Sequence, residues 1–150
     1  MNIQIGKRFA FFVGAIGWFV VGMALTSTAR AAENANLECT FTTGISGSYD
    51  DGAFASETAA ALSFQVHDID VKKQTATLVK KTGAKGRQVR IVRAINANHF
   101  LEVVNEGFLN ITTIYDVDPK TKAHPAVHSR HFGVLGQPLF AQYAGTCKNL

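Results

Sequence analysis

The sequence predicts an all-β fold: an antiparallel meander of about eight short strands, closed as a small barrel or a flattened sandwich, behind an N-terminal signal peptide. Three observations predict it. Short runs of alternating apolar and polar residues recur along the chain, as half-buried strands require. Gly, Asn, Asp and Lys clusters punctuate them at short intervals. Two cysteines, Cys39 and Cys147, fall in the first and the last of those runs.

The N-terminal segment is read separately from the fold. Lys7 and Arg8 form a positive n-region, an uncharged run follows from Phe9 to Leu25, and "TSTARA" carries small residues at Ala29 and Ala31. That order predicts a signal peptide over residues 1–31, cleaved after Ala31, and a single β domain over 32–150. The alternative, an uncleaved anchor, is weakened by Gly14, Gly17 and Gly22 within the run. Removing Lys7, Arg8 and Arg30 from the 15 Lys+Arg leaves 12 against 11 Asp+Glu, so the net charge falls from +4 to +1. A chain so nearly neutral gives no argument for nucleic acid.

The elements follow in order. "LECTF" puts Leu37, Cys39 and Phe41 on one face, and "SYDDG" is a turn. The Ala-rich segment 53–61 is expected to hold at most one helical turn. "LSFQVHDI" sets Leu62, Phe64 and Val66 against Ser63, Gln65 and His67. "TATLVK" and "RQVRIVRAI" flank the turn "KTGAKG"; "HFLEVV" and "FLNITTIYD" flank "NEG"; "AVHSRHFGVL" and "LFAQYAGTC" flank "GQP". A three-residue loop, Asn105-Glu106-Gly107, pairs Val104 with Phe108 and puts Gly107 where a positive φ is needed. That register gathers His99, Leu101, Val103, Leu109, Ile111, Thr113 and Tyr115 on one apolar face, with His99 at its rim. Phe100, Glu102, Val104, Phe108, Asn110, Thr112 and Ile114 share the other, mixed face.

Export brings the two cysteines into an oxidising compartment, where they are expected to pair. The bridge would close a loop of about 108 residues, for which chain entropy allows on the order of 4 to 5 kcal/mol. Because bridged cysteines need neighbouring Cα atoms, the first and last strands must lie side by side. A meander whose ends meet is closed, and closure removes exposed edges.

"LECTF", "QVRIVRAINANHFLEVV", "LNITTIYD", "PAVHSRHFGVLGQP" and "QYAGTC" resemble a group of small, uncharacterised exported proteins of alphaproteobacteria. The resemblance covers nearly all of the mature chain and implies export, a single β domain and an envelope location. It carries over no catalytic residue. "SGSYDDG" is also similar to the SGxxY stretch of periplasmic C-type lysozyme inhibitors, with the spacing shifted by one residue.

Basic residues concentrate in one hairpin. Lys72, Lys73, Lys80, Lys81, Lys85, Arg87, Arg90 and Arg93 lie in a stretch with no acid between Val71 and Ile95. The functional reading is an anionic envelope component such as lipopolysaccharide, phospholipid head groups or an acidic polymer. The ordinary alternative is a solvated hairpin whose lysines block edge pairing. No aromatic residue is interleaved, which argues against stacking on single-stranded nucleic acid.

The stretch "PAVHSRHFG" carries the other candidates. His124, His128 and His131 have spacings that would gather metal ligands on a helix, but on a strand His128 and Arg130 share one face and Ser129 and His131 the other. No metal site and no cofactor are therefore expected. Ser129 beside His128 supplies the residue types of a hydrolase, without convergent geometry or a strained nucleophile turn. Asp68 with Asp70 and Asp116 with Asp118 sit at strand ends, where turn capping explains them. Asn110-Ile-Thr112 matches a glycosylation sequon. A four-residue "LGQP" connection would turn His128, Arg130 and Phe132 inward beside Tyr143; an odd one would turn Val127, Ser129 and His131 inward. The sequence leaves both open, and a buried Arg130 would require an internal acid or a ligand.

The functional expectation is a non-catalytic, periplasmic or secreted binding module stabilised by one disulfide. Its partner would be an anionic envelope component or a small apolar ligand, with His99, His128, Arg130, His131 and Tyr143 as candidate ligand contacts. A membrane is met only through the signal peptide before cleavage. Two alternatives are an inhibitor of a lysozyme- or protease-type enzyme, presenting "ISGSYDDG", and a small hydrolase with its site near His128 and Arg130.

Overall fold

The computed structural model describes residues 36–150 except Lys81, Thr82, Ala84, Asn105, Glu106 and Leu135. The expected signal peptide lies outside the described residues, as does Lys81 of the basic hairpin. Nine strands follow one another: β1 (Leu37–Asp50), β2 (Ala53–Thr58), β3 (Leu62–Asp70), β4 (Thr75–Val79), β5 (Arg87–Arg93), β6 (Ala97–Val103), β7 (Phe108–Tyr115), β8 (His124–Val134) and β9 (Gln137–Asn149). All pairings are antiparallel, each strand from β3 onward pairs with the next, and β9 returns to β1. β1 and β3–β9 thus make an eight-stranded closed barrel, as the alternation and the cysteine positions predict. Among the described residues no helix is long and apolar enough to cross a membrane.

The seam is the disulfide. Cys39 and Cys147 are direct cross-strand partners, bridged with a Cα–Cα distance of 4.0 Å and both fully buried. Around it, Leu37, Phe41, Phe64, Val66, Leu78, Val89, Ile91 and Phe100 fill one end of the barrel as a continuous apolar core. The inward sets Leu37/Cys39/Phe41 and Phe64/Val66 are those the alternation selects.

Segment 53–61 differs from its expectation. Its first six residues form β2, the strand added to the eight of the barrel, rather than a helical turn. Asp51 and Gly52 both have positive φ, 48° and 81°, the backbone of a two-residue hairpin turn. The chain therefore doubles back at once, and 53–58 pair with 45–50 of β1. Ala richness is a weak preference, and the hairpin overrides it.

β1 changes character halfway. A bulge between Phe41 and Thr43 inserts one residue against β9, after which Gly44, Ser46 and Ser48 pair with Tyr143, Ala141 and Leu139. The inward parity thus moves from odd to even residues. Below the bulge β1 pairs with β3; above it β2 takes that position, so the β1–β2 hairpin stands up beyond the barrel wall as an extension.

The β6–β7 hairpin has the expected register. Val103 faces Leu109, Val104 N–H donates to the Phe108 carbonyl at 3.3 Å, and Gly107 has φ 88°. Its orientation is the reverse of what apolar content suggests. Phe100, Glu102, Asn110, Thr112 and Ile114 are the buried face, whereas Val103 is 72 % exposed and Leu109 and Tyr115 are more than a third exposed. His99 accordingly lies on the outer face, sharing a hydrogen bond between Nδ1 and Thr113 Oγ1 at 2.9 Å.

Candidate functional site: the open end of the barrel

The connection between β8 and β9 decides the parity of "PAVHSRHFG". Val134 pairs with Gln137, so only Leu135 and Gly136 intervene, and Gln137 and Pro138 belong to β9 rather than to a loop. The count is even. His128 faces Tyr143, Arg130 faces Ala141 and Phe132 faces Leu139, all on the inner side; Ser129 and His131 lie on the outer side. His124 is the first residue of β8, not a loop residue, and its Nδ1 meets the Tyr115 carbonyl at 2.7 Å. The three histidines do not converge, and Ser129 cannot be served by His128 across the strand.

His128 is packed among rings inside the barrel. Its centroid lies 5.2 Å from Phe64, 5.7 Å from Phe41 and 5.9 Å from Tyr143. Nδ1 shares a hydrogen bond with Thr112 Oγ1 at 2.8 Å. Loss of water, helped by the nearby Arg130 and Lys80 charges and opposed by Glu102, pushes its pKa down to about 4.

Above His128 the interior becomes polar. Glu102 Oε1 accepts from Arg87 Nη1 at 2.9 Å and lies 3.4 Å from Lys80 Nζ, while Oε2 accepts from Asn110 Nδ2 at 2.7 Å. Every oxygen of this 1 %-exposed carboxylate is therefore engaged, as burial demands. With Asn110 and Thr112 both buried, the sequon is not available to a glycosyl donor. Arg130 is half-buried on the same inner side, yet no ion pair joins it to an acid among the described residues. Its guanidinium carbon instead lies 5.8 Å from the centroid of the Phe132 ring.

Phe132 in turn stacks on Phe108, centroids 5.5 Å apart and planes within 5°. These rings form the floor of an apolar groove of about 840 Å³ that passes over the rim along Val103, Leu109, Leu139 and Phe140. A second hollow of about 400 Å³ shares Phe132, Leu139 and Phe140 and continues to Ser46, Ser48 and Glu57 of the β1–β2 extension. The two hollows meet at Phe132, Leu139 and Phe140, and Arg130 lies beside them over the Phe132 ring.

The meander sorts the basic hairpin between the two ends of the barrel. The β4–β5 connection, with Lys80, Lys85 and Arg87, is at the groove end, together with the β6–β7 and β8–β9 turns. Lys72 and Lys73 lie in the β3–β4 turn and Arg93 ends β5, all at the opposite end. Arg90 lies between them on the outer wall, opposite Leu101. The seven described residues of this set therefore do not make one surface, because a strand pair carries its two turns to opposite ends. The paired aspartates behave as turn residues: Asp70 accepts from the Lys73 amide at 2.9 Å and Asp118 from the Lys120 amide at 2.8 Å.

Sequence reasoning named Glu102, Asn110, Phe108 and Phe132 only by face or as part of a sequon and gave none of them a place in a site. The one signal for Glu102 is that it is an acid centred in a β-run, with Arg and Lys in the preceding hairpin. Compared with known protein families and with curated proteins, the chain matches none.

Proposed function

We propose that the chain is a non-catalytic binding module of an exported protein, acting in the periplasm or outside the cell. The open end of its barrel holds an anionic amphiphile. The apolar part lies in the groove over Phe108, Phe132 and Leu139, and the acidic group meets Arg130. The carrying observation is an inward arginine, beside an apolar groove, that no ion pair joins to an acid among the described residues. Desolvating such a charge is unfavourable until an anion joins it, so the site discriminates for an anion. Lys80 and Lys85 stand at the same end and would raise the local concentration of anionic ligands. The disulfide supports the compartment, since such bridges persist where thiols are not kept reduced.

Calorimetric titration with laurate, lysophosphatidylglycerol and neutral dodecyl maltoside tests this. Arg130→Gln should weaken laurate about tenfold, the scale of one charge-assisted hydrogen bond, and leave dodecyl maltoside unchanged. Phe108→Ser should weaken all three. Absence of laurate binding below its micelle concentration, or an Arg130→Gln variant that binds as before, would refute the reading.

A second reading rests on the β1–β2 extension. "ISGSYDDG" is part of a paired hairpin that projects beyond the barrel and exposes Ile45, Tyr49 and Phe54. Such a rigid projection suits an inhibitor of a lysozyme- or protease-type enzyme, which should then be titrated one to one.

A further inference from the structure

Closure of the barrel leaves one strand edge without a partner among the described residues. β2 pairs with β1 alone, and all six of its residues are exposed. The hairpin geometry says which backbone groups are free. The two-residue turn makes Asp50 and Ala53 a hydrogen-bonded pair, and Ala59 N–H donates to the Gly44 carbonyl at 3.0 Å. Alternation then directs Ala53, Ala55 and Glu57 toward β1, and the N–H and C=O groups of Phe54, Ser56 and Thr58 away from it. Among the described residues that edge has little protection: "AFASET" carries the one charge of Glu57 but no lysine, no proline and no bulge, the other devices by which natural edges avoid pairing.

We propose that β2 is a dimerisation edge, on which β2 of a second copy adds antiparallel about a two-fold axis at Ser56. Edge-facing residues must meet edge-facing residues, so Ser56 opposes its own copy and Phe54 opposes Thr58. That gives three reciprocal pairs and up to six backbone hydrogen bonds, in the closed, self-complementary arrangement that symmetric dimers use. Faces are preserved across the axis, so the Tyr49–Phe54 ring pair, centroids 4.8 Å apart, shares its side of the extended sheet with the partner's Thr58, the residue opposite Phe54.

Charge selects a second copy over other strands. Continuing the antiparallel register past Thr58 points the partner's acidic turn, Asp50-Asp51, toward the end of β4 at Val79. The β4–β5 connection begins there, with the exposed Lys85 and with Lys80, whose ammonium also lies 3.4 Å from Glu102. The two-fold axis repeats that acid-to-base contact, and Glu57, the one charged residue of β2, opposes Ala55 rather than itself. Like charges are therefore kept apart and unlike charges brought together, which fixes register as well as affinity.

The test is sedimentation velocity on the chain as the cell produces it, at 50 mM and 500 mM salt. A dimer with a micromolar dissociation constant, the weak end for an interface of this kind, is expected at low salt and should weaken several-fold at high salt. Ser56→Pro removes one edge N–H and none of the β1–β2 ladder, so it should give a monomer with unchanged far-ultraviolet circular dichroism. Asp50→Lys and Lys85→Asp should each weaken the dimer, and the double variant should restore it, which no folding defect would do. A chain that is monomeric at about 100 µM, far above a micromolar constant, or a dimer that survives Ser56→Pro, overturns the proposal. Laurate binding is not read in any arm, so the outcome is independent of the groove.

Discussion

Arg87 Nη1 donates to Glu102 Oε1 at 2.9 Å, joining a half-exposed guanidinium at the barrel rim to a carboxylate almost wholly inside. The two partners are unequal. Glu102 cannot reach water if Arg87 is removed and keeps only the more distant Lys80 on that oxygen, whereas Arg87 can turn outward if its acid is removed. Arg87→Ala should therefore destabilise by about 2–4 kcal/mol, and Glu102→Gln, which keeps an oxygen for Asn110, by about 1 kcal/mol. Urea unfolding of the two variants checks the order; equal losses would mean that the carboxylate finds water.

The depressed His128 makes stability depend on pH in a defined direction. The unfolded chain takes up this proton near pH 6.5, and the folded chain only near pH 4. Between those values the unfolded state binds more protons, so stability falls as the pH falls, by on the order of 3 kcal/mol. Below about pH 4 this contribution is flat. Urea midpoints from pH 7.5 to 3.5 should show the decline, and His128→Gln should remove that part of the slope.

Gly145 faces Ala126 and Phe41 across the barrel wall. A Cβ there would press on the Thr40 carbonyl oxygen and lie 2.7 Å from Phe41 Cα, both backbone atoms. Backbone of a closed barrel cannot swing aside as a side chain does. Gly145→Ala should cost more than 3 kcal/mol, at the upper end for single substitutions, or abolish folding. Gly133→Ala, whose nearest obstacle is at 3.7 Å, should cost less than about 1 kcal/mol. Thermal unfolding compares them directly.

The disulfide spans 108 residues and ties the two strands that close the barrel. Replacing Cys39 and Cys147 together by alanine should lower stability by about 2–5 kcal/mol. The loss should be largest at the seam, so amides of β1 and β9 should lose hydrogen-exchange protection before those of β6 and β7. Uniform loss across the barrel would mean that closure is held by packing alone.

Period-two alternation made the strands, their turns and the sharing of faces readable from the chain. Phe64 and Val66, the Val104–Phe108 register and the Cys39–Cys147 pair all followed from local spacing and one compartment argument. Which face turns inward did not. On β6 and β7 the more apolar face points to solvent, because the inner position is set by the neighbouring β4–β5 hairpin, which supplies Arg87 and Lys80 to Glu102. A local count of apolar residues contains nothing about those partners.

The same limit governed the cluster around Arg130. The alternation placed His128 with Arg130 and Ser129 with His131, and left one binary choice. A two-residue β8–β9 connection made that choice, and the bulge after Phe41 and the doubling back of β2 shaped the groove end beside it. The sequence by itself thus determined the strands, their shared faces and their covalent closure. The tertiary structure decided inside from outside and one barrel end from the other, because those depend on contacts between residues far apart in the chain, which closure of the sheet brings together.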